Sequence, residues 1–440
     1  MKSDNWIRDL VHGTSSDSAF KLFGRVTSIS GCFVEATYRQ CVVGEVAIIF
    51  AGSKTVECEV VSIQNDTCLL APLNTLEGIG VGDSVEYKGC LPSVQKIEHP
   101  FGKILNGFGV EVSDSKTKDN SQDILSISSE PISVYLKTPV SEKISTGSQI
   151  IDDILPLGLG QKVGIFAGSG VGKSTLLNKF HSRMDVDVKI VAMVGERSRE
   201  VVDFYHTQMG SGNSNDTILV ASTSEDLPSL KRRAVYVALA YAKHYCEQGL
   251  NVVVILDSIT RLAHALREIG ISRHEPPVAR GYPPSVFAEL PRIVEQCGNF
   301  KDKGSITGIM SVLVDGDDEN EPVSDFMRGV LDGHFILDRK LANTGLYPSI
   351  NILKSRSRTM ENVLNDDQLI FERKVRQVYS DYAEVEDVVR TGIYQEGTSE
   401  DIDYVVQLKK KLDSALYSWN KSVDMELIKD VLEFKESHSP

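Results

Sequence analysis

The segment AGSGVGKST, residues 167–175, constrains this chain more than any other part of its sequence. It directly follows the apolar run KVGIF (162–166) and directly precedes a helical pattern. Glycines in such a turn let backbone N–H groups point inward around a phosphate, and the start of the next helix adds its dipole. Lys173 offers a mobile positive charge to the β- and γ-phosphates, and the Ser174 hydroxyl is a ligand for Mg²⁺. We therefore predict a phosphate-binding loop between a strand and a helix.

Two other interpretations of this segment are weaker. A glycine-rich turn can carry Gly-Lys-Ser by chance, but the strand before it and the helix after it argue against coincidence. A dinucleotide-binding turn needs a third glycine in G-x-G-x-x-G, and Lys173 occupies that position. The loop does depart from the usual pattern at its first position, where Ala167 replaces glycine. We expect a small residue to be sufficient there.

Apolar strands alternate with longer helical patterns from about residue 145 to residue 350. Strands are predicted at 162–166, 188–194, 217–222, 251–257 and 305–314, and helices at 173–184, 227–247, 259–269 and 285–297. Strands of continuous apolar content that are separated by helices predict a mostly parallel sheet with both faces covered. The phosphate loop would then lie at the carboxyl edge of that sheet.

The regions on either side of this α/β core have a different character. Six short β-rich runs with turn residues between them, within residues 21–90, predict a small antiparallel barrel. After about residue 363 the chain is helical and highly charged, which predicts a small α-helical domain. The polar stretch 114–131 predicts a surface loop. We accordingly divide the chain into a tail (1–20), a barrel domain (21–90), a phosphate-loop domain (91–362) and a helical domain (363–440).

Within the tail, apolar residues fall at helical spacing: Trp6, Ile7, Leu10 and Val11. This pattern fits a short helix that docks on a partner, and it fits a frayed terminus equally well.

Composition excludes several classes of protein. The net charge of −14 disfavours a protein that coats duplex nucleic acid. No apolar stretch approaches the roughly 18 residues of a membrane span, and Asp4 and Asp9 interrupt any signal peptide. The seven cysteines form no C-x-x-C pair, so we expect small buried thiols in a reducing compartment rather than zinc sites or disulfides. These observations place the protein in the cytoplasm.

Two carboxylates are placed to act on a bound phosphate. Asp257 ends the strand predicted at 251–257, so its side chain would point into the crevice where ligands bind and hold Mg²⁺. The alternative role is an N-cap for the following helix. Glu196 follows the strand 188–194, and it fits either a general base for the attacking water or a solvated loop charge. Arg197 and Arg261 are natural companions, because guanidinium groups neutralise the charge that develops in phosphoryl transfer.

Seven blocks of sequence resemble the flagellar and type III secretion export ATPase family, which is similar to the catalytic subunits of rotary ATP synthases. The blocks, in chain order, are GQKVGIFAGSGVGKSTLL, VGERSREV, ILDSITRLAHALREIG, EPPVARGYPPSVFAELPRIVEQCGN, GSITGIMSVLVDGDDENEP, RGVLDGHFILDRKLA and LYPSINILKSRSRTM. The resemblance runs from about residue 24 to residue 395 and is dense from 145 to 362. GYPPSVF together with the order of all seven blocks is very specific to this family, and LDGHFILDRKLA favours the flagellar branch.

The resemblance implies a RecA-like P-loop ATPase core with an N-terminal β-barrel and a C-terminal α-helical domain, and it implies ATP and Mg²⁺ as cofactors. Glu196 would be the catalytic glutamate with Arg197 beside it, and Arg261 would contact the γ-phosphate. Asp257 would be the Walker B aspartate and, with Ser174, would hold the metal. The residues implied in nucleotide binding are Gly168, Ser169, Gly170, Val171, Gly172, Lys173, Ser174, Thr175 and Tyr347.

Two of these implied roles depend on the resemblance alone. Tyr347 matches the aromatic residue that stacks on adenine, although by itself it fits an ordinary half-buried aromatic. Arg358, in SRSRTM, matches an arginine finger that reaches the nucleotide of the neighbouring subunit. By itself Arg358 fits a solvated charge, and Arg356 lies two residues away as the alternative finger.

An arginine finger requires a site between subunits, so the resemblance implies a homohexameric ring. The partners it implies are a stator-like regulator on the N-terminal tail, a central coiled-coil stalk, the export gate and chaperone–substrate complexes, with peripheral association at the inner face of the cytoplasmic membrane and no nucleic acid. The activity would be ATP hydrolysis that energises flagellar protein export.

Other functions stay open at this point. An injectisome ATPase or a β-like subunit of a rotary ATP synthase would share the same catalytic groups, and the synthase subunit would need a non-catalytic partner. A non-catalytic subunit would usually lack Glu196. A hexameric RNA translocase would need exposed aromatics and a basic groove on the barrel. Residues 21–90 offer four aromatics but few lysines or arginines, the aromatics being Phe23, Phe33, Tyr38 and Phe50.

Overall fold

The computed structural model describes residues 22–434, apart from residues 39, 113–122, 128–131, 211–215, 315–320, 392–393, 396, 398 and 420–422. The helix expected in the N-terminal tail therefore lies outside the described residues, as does most of the polar stretch 114–131.

Six antiparallel strands close into a small barrel at the N-terminal side, as predicted. They are β1 (Leu22–Ser30), β2 (Phe33–Thr37), β3 (Val46–Ala51), β4 (Lys54–Gln64), β5 (Thr67–Pro72) and β6 (Ser84–Tyr87). The strand order is β1-β2-β5-β4-β3-β6, and β6 pairs back to β1. Burial alternates along β3, where Ala47 and Ile49 face the barrel interior and Phe50 is exposed. Closure pairs every strand on both sides and leaves no free sheet edge.

Three short strands follow the barrel: β7 (Ser93–Gln95), β8 (Ile104–Leu105) and β9 (Ile124–Ser126). β9 pairs with β7 in antiparallel register, and its central residue Leu125 is buried. The prediction of a surface loop over the whole of 114–131 is therefore wrong at these three residues. Pairing with β7 and one buried side chain stabilise a strand that is too short to show a period of two in the sequence.

A second sheet forms the centre of the molecule. The remaining strands are β10 (Lys137–Thr138), β11 (Lys143–Ile144), β12 (Leu157–Gly158), β13 (Lys162–Ala167), β14 (Val188–Glu196), β15 (Thr217–Thr223), β16 (Asn251–Asp257), β17 (Gly298–Phe300), β18 (Ser305–Leu313), β19 (Gly333–Ile336) and β20 (Arg356–Ser357). The main path of the sheet is β20-β19-β13-β18-β16-β14-β15-β8. The pairings from β19 to β8 are parallel, and β20 is antiparallel to β19. The predicted mostly parallel sheet is confirmed.

Helices connect these strands and complete the C-terminal region. They are α1 (Lys173–Arg183), α2 (Ser198–Phe204), α3 (Pro228–Glu247), α4 (Ile259–Ser272), α5 (Pro284–Val294), α6 (Pro322–Val330), α7 (Arg339–Asn343), α8 (Met360–Val363), α9 (Asp366–Arg390), α10 (Glu400–Leu416) and α11 (Met425–Leu432). Single turns of 3₁₀ or π-helix lie at Val134–Leu136, Ile150–Ile154 and Tyr205–Met209. Prolines begin α3, α5 and α6, where a fixed φ favours the helix and the missing N–H is not needed.

Both faces of the central sheet are covered by other elements. This explains why its strands are continuous apolar runs in the sequence. Every residue of β14 is buried. Ile190 packs in the cluster that includes helices α3 to α5, whereas its neighbour Val191 packs in the cluster that includes α1 and the C-terminal helices. The helical region α9 to α11 shares this second cluster through residues such as Val375 and Leu412. Among the described residues, no helix has both the length and the apolar character needed to cross a membrane.

Candidate nucleotide site

The phosphate loop lies between the end of β13 and the start of α1, as predicted. Its backbone adopts left-handed angles at Gly170 (φ 77°) and Gly172 (φ 97°), which glycine adopts at little cost. Ala167 is the last residue of β13 and is buried, so an extended alanine satisfies the position where glycine is usual. Ser174 and Thr175, in the first turn of α1, are exposed at the mouth of the loop. The N–H groups of this turn have no partner within the helix and are available to an anion.

Lys173 and Asp257 contact each other across the loop. The Nζ of Lys173 forms an ion pair with Oδ1 of Asp257, and the Ser311 hydroxyl donates a 2.5 Å hydrogen bond to the same oxygen. Asp257 is the last residue of β16, at the carboxyl edge of the sheet. The neighbouring Ser258 caps α4 by accepting a hydrogen bond from the backbone N–H of Arg261, so Asp257 does not serve as the helix cap.

A cavity of about 260 Å³ opens beside this pair, lined by Ser174, Asp257 and Glu200 together with apolar residues from α1 and β14. A hydroxyl and a carboxylate are hard oxygen donors, the kind that Mg²⁺ takes. In the part of the chain that the structure describes, no group of three or more His, Cys, Asp or Glu side chains forms a cage for a metal. Mg²⁺ is usually held by one or two carboxylates plus substrate phosphates, so this donor set fits that ion.

Glu196 is the last residue of β14 and is aimed by an irregularity in the strand. The pairing of β14 with β15 shifts register between Val194 and Glu196, where Gly195 has a φ of 71°. Such a bulge turns the next side chain to a new direction. Glu196 is buried, and its Oε1 has no hydrogen-bond partner among the described residues. Burial and the nearby charge of Asp257 raise the pKa of Glu196 to about 7. A carboxylate with that pKa is suited to take a proton at neutral pH.

The two companion arginines lie at the same edge of the sheet. Arg197 occupies the N-cap position of α2 without a capping hydrogen bond from its side chain, and it is exposed. Arg261 is exposed in the first turn of α4, and its side-chain stem passes over Gly195. A Cβ at Gly195 would lie 2.9 Å from the Cβ of Arg261, so this close approach requires glycine. The structure therefore brings Arg261 beside Glu196.

Tyr347 is far from the phosphate loop in sequence but adjacent to it in space. An added Cβ at Gly172 would lie 3.1 Å from the ring of Tyr347, whose side chain remains 41% exposed. Ser349 donates a hydrogen bond of 2.6 Å from its hydroxyl to the carbonyl of Val171. The ring therefore stands beside the loop and is partly exposed to solvent.

Arg358 is the one predicted site residue that lies elsewhere. Its backbone N–H donates to the carbonyl of Asp332, which lies beside Lys162 at the amino end of β13. The phosphate loop follows the other end of this six-residue strand, about 20 Å away at 3.3 Å per residue. That distance exceeds the reach of an arginine side chain. The guanidinium is exposed and donates to the carbonyl of Arg328 at 3.1 Å.

Sequence reasoning missed Ser311 and Ser349. Ser311 lies one residue after Met310, which pairs with Leu256, so the register of two buried strands places it level with Asp257. Its signal in the sequence is a lone hydroxyl within the apolar run 305–314. Ser349 follows Tyr347 and Pro348 in a loop, and the residue pattern does not indicate that it reaches Val171.

The fold and the site together define a P-loop ATPase. Residues 147–357 match the family model for the ATP synthase alpha/beta family, nucleotide-binding domain, and residues 364–421 match the T3SS EscN ATPase C-terminal domain. The flagellum-specific ATP synthase of Bacillus subtilis is 38% identical over 415 residues, covering 94% of this chain and 93% of the relative. That of Borreliella burgdorferi is 36% identical over 434 residues, covering 98% and 99%.

Solved structures agree with these relatives. The assembled ATPase EscN of the enteropathogenic E. coli type III secretion system superposes with a TM-score of 0.85 at 30% identity, covering 93% of this chain and 99% of EscN. EscN in complex with its central stalk EscO gives a TM-score of 0.82 over the same coverage. The chain belongs to the flagellar and type III secretion export ATPase family, and it is an ATP-hydrolysing enzyme that binds a nucleotide and serves protein export.

Proposed function

We propose that this chain hydrolyses Mg-ATP in a homohexameric ring and thereby energises protein export through the flagellar type III apparatus. One observation carries the ring: the groups expected around the phosphates converge at one edge of the sheet, while Arg358 is held at the other. A finger that cannot reach its own nucleotide has a use only in the site of a neighbouring subunit.

In the proposed mechanism, the chain's own residues first hold the substrate. Backbone N–H groups of residues 168–175 surround the β- and γ-phosphates, and Lys173 exchanges its contact with Asp257 for these phosphates. Tyr347 stacks on the adenine. Ser174 and Asp257 would hold Mg²⁺, which neutralises charge on the phosphate oxygens when it is bound.

Glu196 then acts on the water. With its pKa near neutrality it accepts a proton, or polarises the water, while the oxygen attacks the γ-phosphorus in line with the leaving group. Arg261 and Arg197 stand where they can neutralise charge on the equatorial oxygens. Arg358 of the adjacent subunit completes the site and would contribute most once the transition state has formed.

The relatives support a wider assembly for this chain. EscN has been observed both assembled and with a central stalk. By analogy, we propose that the barrel domain (21–90) crowns the ring, the core (91–362) hydrolyses ATP, and the helical domain (363–440) faces the export gate and chaperone–substrate complexes. The tail (1–20) would bind a stator-like regulator. The protein would act in the cytoplasm, peripherally at the membrane.

Two observations bear on the alternative functions, the injectisome ATPase and the RNA translocase. Identity is 36–38% to the flagellar relatives and 30% to EscN, which favours the flagellar branch over the injectisome. Phe33, one of the four aromatics of the barrel, is only 2% exposed, whereas Phe23 and Phe50 are exposed. An RNA translocase is therefore disfavoured by the small number of lysines and arginines in residues 21–90.

Hydrolysis by the purified chain at increasing protein concentration tests the proposal, with Arg358→Ala and Arg356→Ala measured beside the wild type. We expect the specific activity of the wild type and of Arg356→Ala to rise with concentration, whereas Arg358→Ala stays flat and low. The reverse order of the two variants would make Arg356 the finger. A wild type that binds ATP but stays inactive at every concentration would mean that a different subunit completes the site, as in a rotary synthase.

A further inference from the structure

Gln161 links the strand that leads to the phosphate loop with the strand that carries Arg358. It directly precedes β13 and is fully buried. Its Oε1 accepts a 2.9 Å hydrogen bond from the N–H of Gly158. Its Nε2 donates to the Ser357 hydroxyl at 3.0 Å and to the carbonyl of Asp332 at 3.4 Å. A buried amide with its donors and acceptor engaged fixes the groups around it, because breaking any one contact leaves an unpaired polar atom.

The two groups that accept hydrogen bonds from Gln161, the Ser357 hydroxyl and the Asp332 carbonyl, also position Arg358. Ser357 is buried immediately before the exposed Arg358, and its hydroxyl donates in turn to the carbonyl of Pro156 at 2.8 Å. The Asp332 carbonyl accepts the backbone N–H of Arg358 at 2.8 Å. The side chain of Gln161 is tightly packed, because a Cβ added at Gly333 would lie only 3.3 Å from its Nε2. The backbone direction at Arg358 is therefore set by contacts that meet at one amide.

We propose that Gln161 is a positioning residue for the arginine finger: through Ser357 and Asp332 it sets the direction in which Arg358 leaves the sheet toward the neighbouring subunit's nucleotide. This rests on the proposed function of Arg358. Gln161 lies at one end of β13, and the chain's own phosphate loop lies at the other end. A single strand therefore connects the subunit's own nucleotide site with the residues that hold Arg358 for the neighbouring site.

The test compares Gln161→Leu with Thr307→Val as a matched control. Thr307 is also fully buried, and its hydroxyl accepts the N–H of Gly160 at 2.8 Å, so it holds the same turn. Its strand, β18, does not pair with β20, which leads to Arg358. We expect Gln161→Leu to lower kcat about ten- to hundredfold, the effect of misplacing a catalytic group by about 1 Å, with KM and nucleotide affinity within about twofold of wild type. Thr307→Val should lose thermal stability but keep kcat within about twofold.

Ser357→Ala provides a second test that can be used even if Gln161→Leu fails to fold. It removes one acceptor of Gln161 with little change in volume, and it should also lower kcat. Equal losses of kcat in Gln161→Leu and Thr307→Val, or unchanged kcat in a folded Ser357→Ala, would overturn the proposal.

Mixing subunits separates a finger defect from a general structural one. A Lys173→Ala chain has a defective phosphate loop but a normal finger, so in a mixed ring it can serve the intact loop of a Gln161→Leu neighbour. We expect the mixture to exceed the summed activity of its components several-fold, as an Arg358→Ala and Lys173→Ala mixture should. Rescue with Arg358→Ala but not with Gln161→Leu would refute the role of Gln161 and leave the proposed function intact. If neither mixture is rescued, the finger does not act between subunits, and both proposals fall.

Discussion

The Ser349 hydroxyl donates a hydrogen bond of 2.6 Å to the backbone carbonyl of Val171, although the two residues are 178 positions apart. Val171 lies inside the phosphate loop, and Ser349 lies two residues after Tyr347. This contact fixes the spacing between the phosphates and the aromatic ring proposed to stack on the base.

Replacing Tyr347 with Ala should raise KM for ATP at least about fivefold, since stacking of a base on an aromatic ring contributes about 1–3 kcal/mol. Tyr347→Phe keeps the ring and should behave like the wild type. Titration with a fluorescent ATP analogue, beside steady-state kinetics, measures the effect. Equal affinities in the Ala and Phe variants would place the adenine elsewhere.

Lys173→Ala should abolish nucleotide binding, because it removes the mobile charge of the phosphate loop and leaves Asp257 without its ion-pair partner. Equilibrium binding of Mg-ATP checks this directly. Lys54→Ala, an exposed position in β4 of the barrel, is the control and should bind as the wild type does. Tight Mg-ATP binding by Lys173→Ala would refute the assignment of the loop.

Glu196→Gln should bind ATP with near-normal affinity and lose about 10²- to 10⁴-fold in kcat, the usual contribution of a general base. Glutamine keeps the size of the side chain but cannot accept the proton. The same change at the exposed Glu77 in the barrel region is the matched control and should leave turnover unchanged. Turnover near the wild-type rate in Glu196→Gln would assign the base to another residue.

Activity should increase with pH through neutrality. Burial and Asp257 raise the pKa of Glu196 to about 7, so at pH 6 only about a tenth of the molecules carry the unprotonated base. We expect kcat/KM to rise between pH 6 and pH 8 with a midpoint near 7, and the residual activity of Glu196→Gln to lack this step. A midpoint near the ordinary glutamate value of about 4.3 would contradict the buried environment of Glu196.

Gly195→Ala should destabilise the protein and impair hydrolysis together. A left-handed alanine costs about 1–2 kcal/mol, and here its Cβ would also lie 2.9 Å from the Cβ of Arg261. Gly249→Ala isolates the first cost, because Gly249 also has a positive φ but no atom lies within 4 Å of the added Cβ. Thermal unfolding and kcat of both variants decide the matter. If Gly249→Ala is as damaging as Gly195→Ala in both measurements, the close approach to Arg261 is unimportant.

Local features of this chain could be predicted because their signals are contiguous. Continuous apolar runs indicate buried parallel strands, and the phosphate loop is a single nine-residue segment, so β13, Lys173 and Ser174 needed no knowledge of other elements. The barrel strands could be predicted for the same reason. Strand β9 was missed, because three residues in a polar stretch carry too little periodic information.

The sequence by itself therefore determined the barrel strands, the longer strands and helices of the core, the phosphate loop and the carboxylates at strand ends. Only the tertiary structure decided how they meet. Strand order and register placed Ser311 on Asp257, a bulge at Gly195 aimed Glu196, and antiparallel pairing of β20 placed Arg358 at the far edge of the sheet from its own loop. These relationships arise from non-local hydrogen bonding and packing between segments. The side-chain periodicity of one strand does not specify which other strand it will pair with.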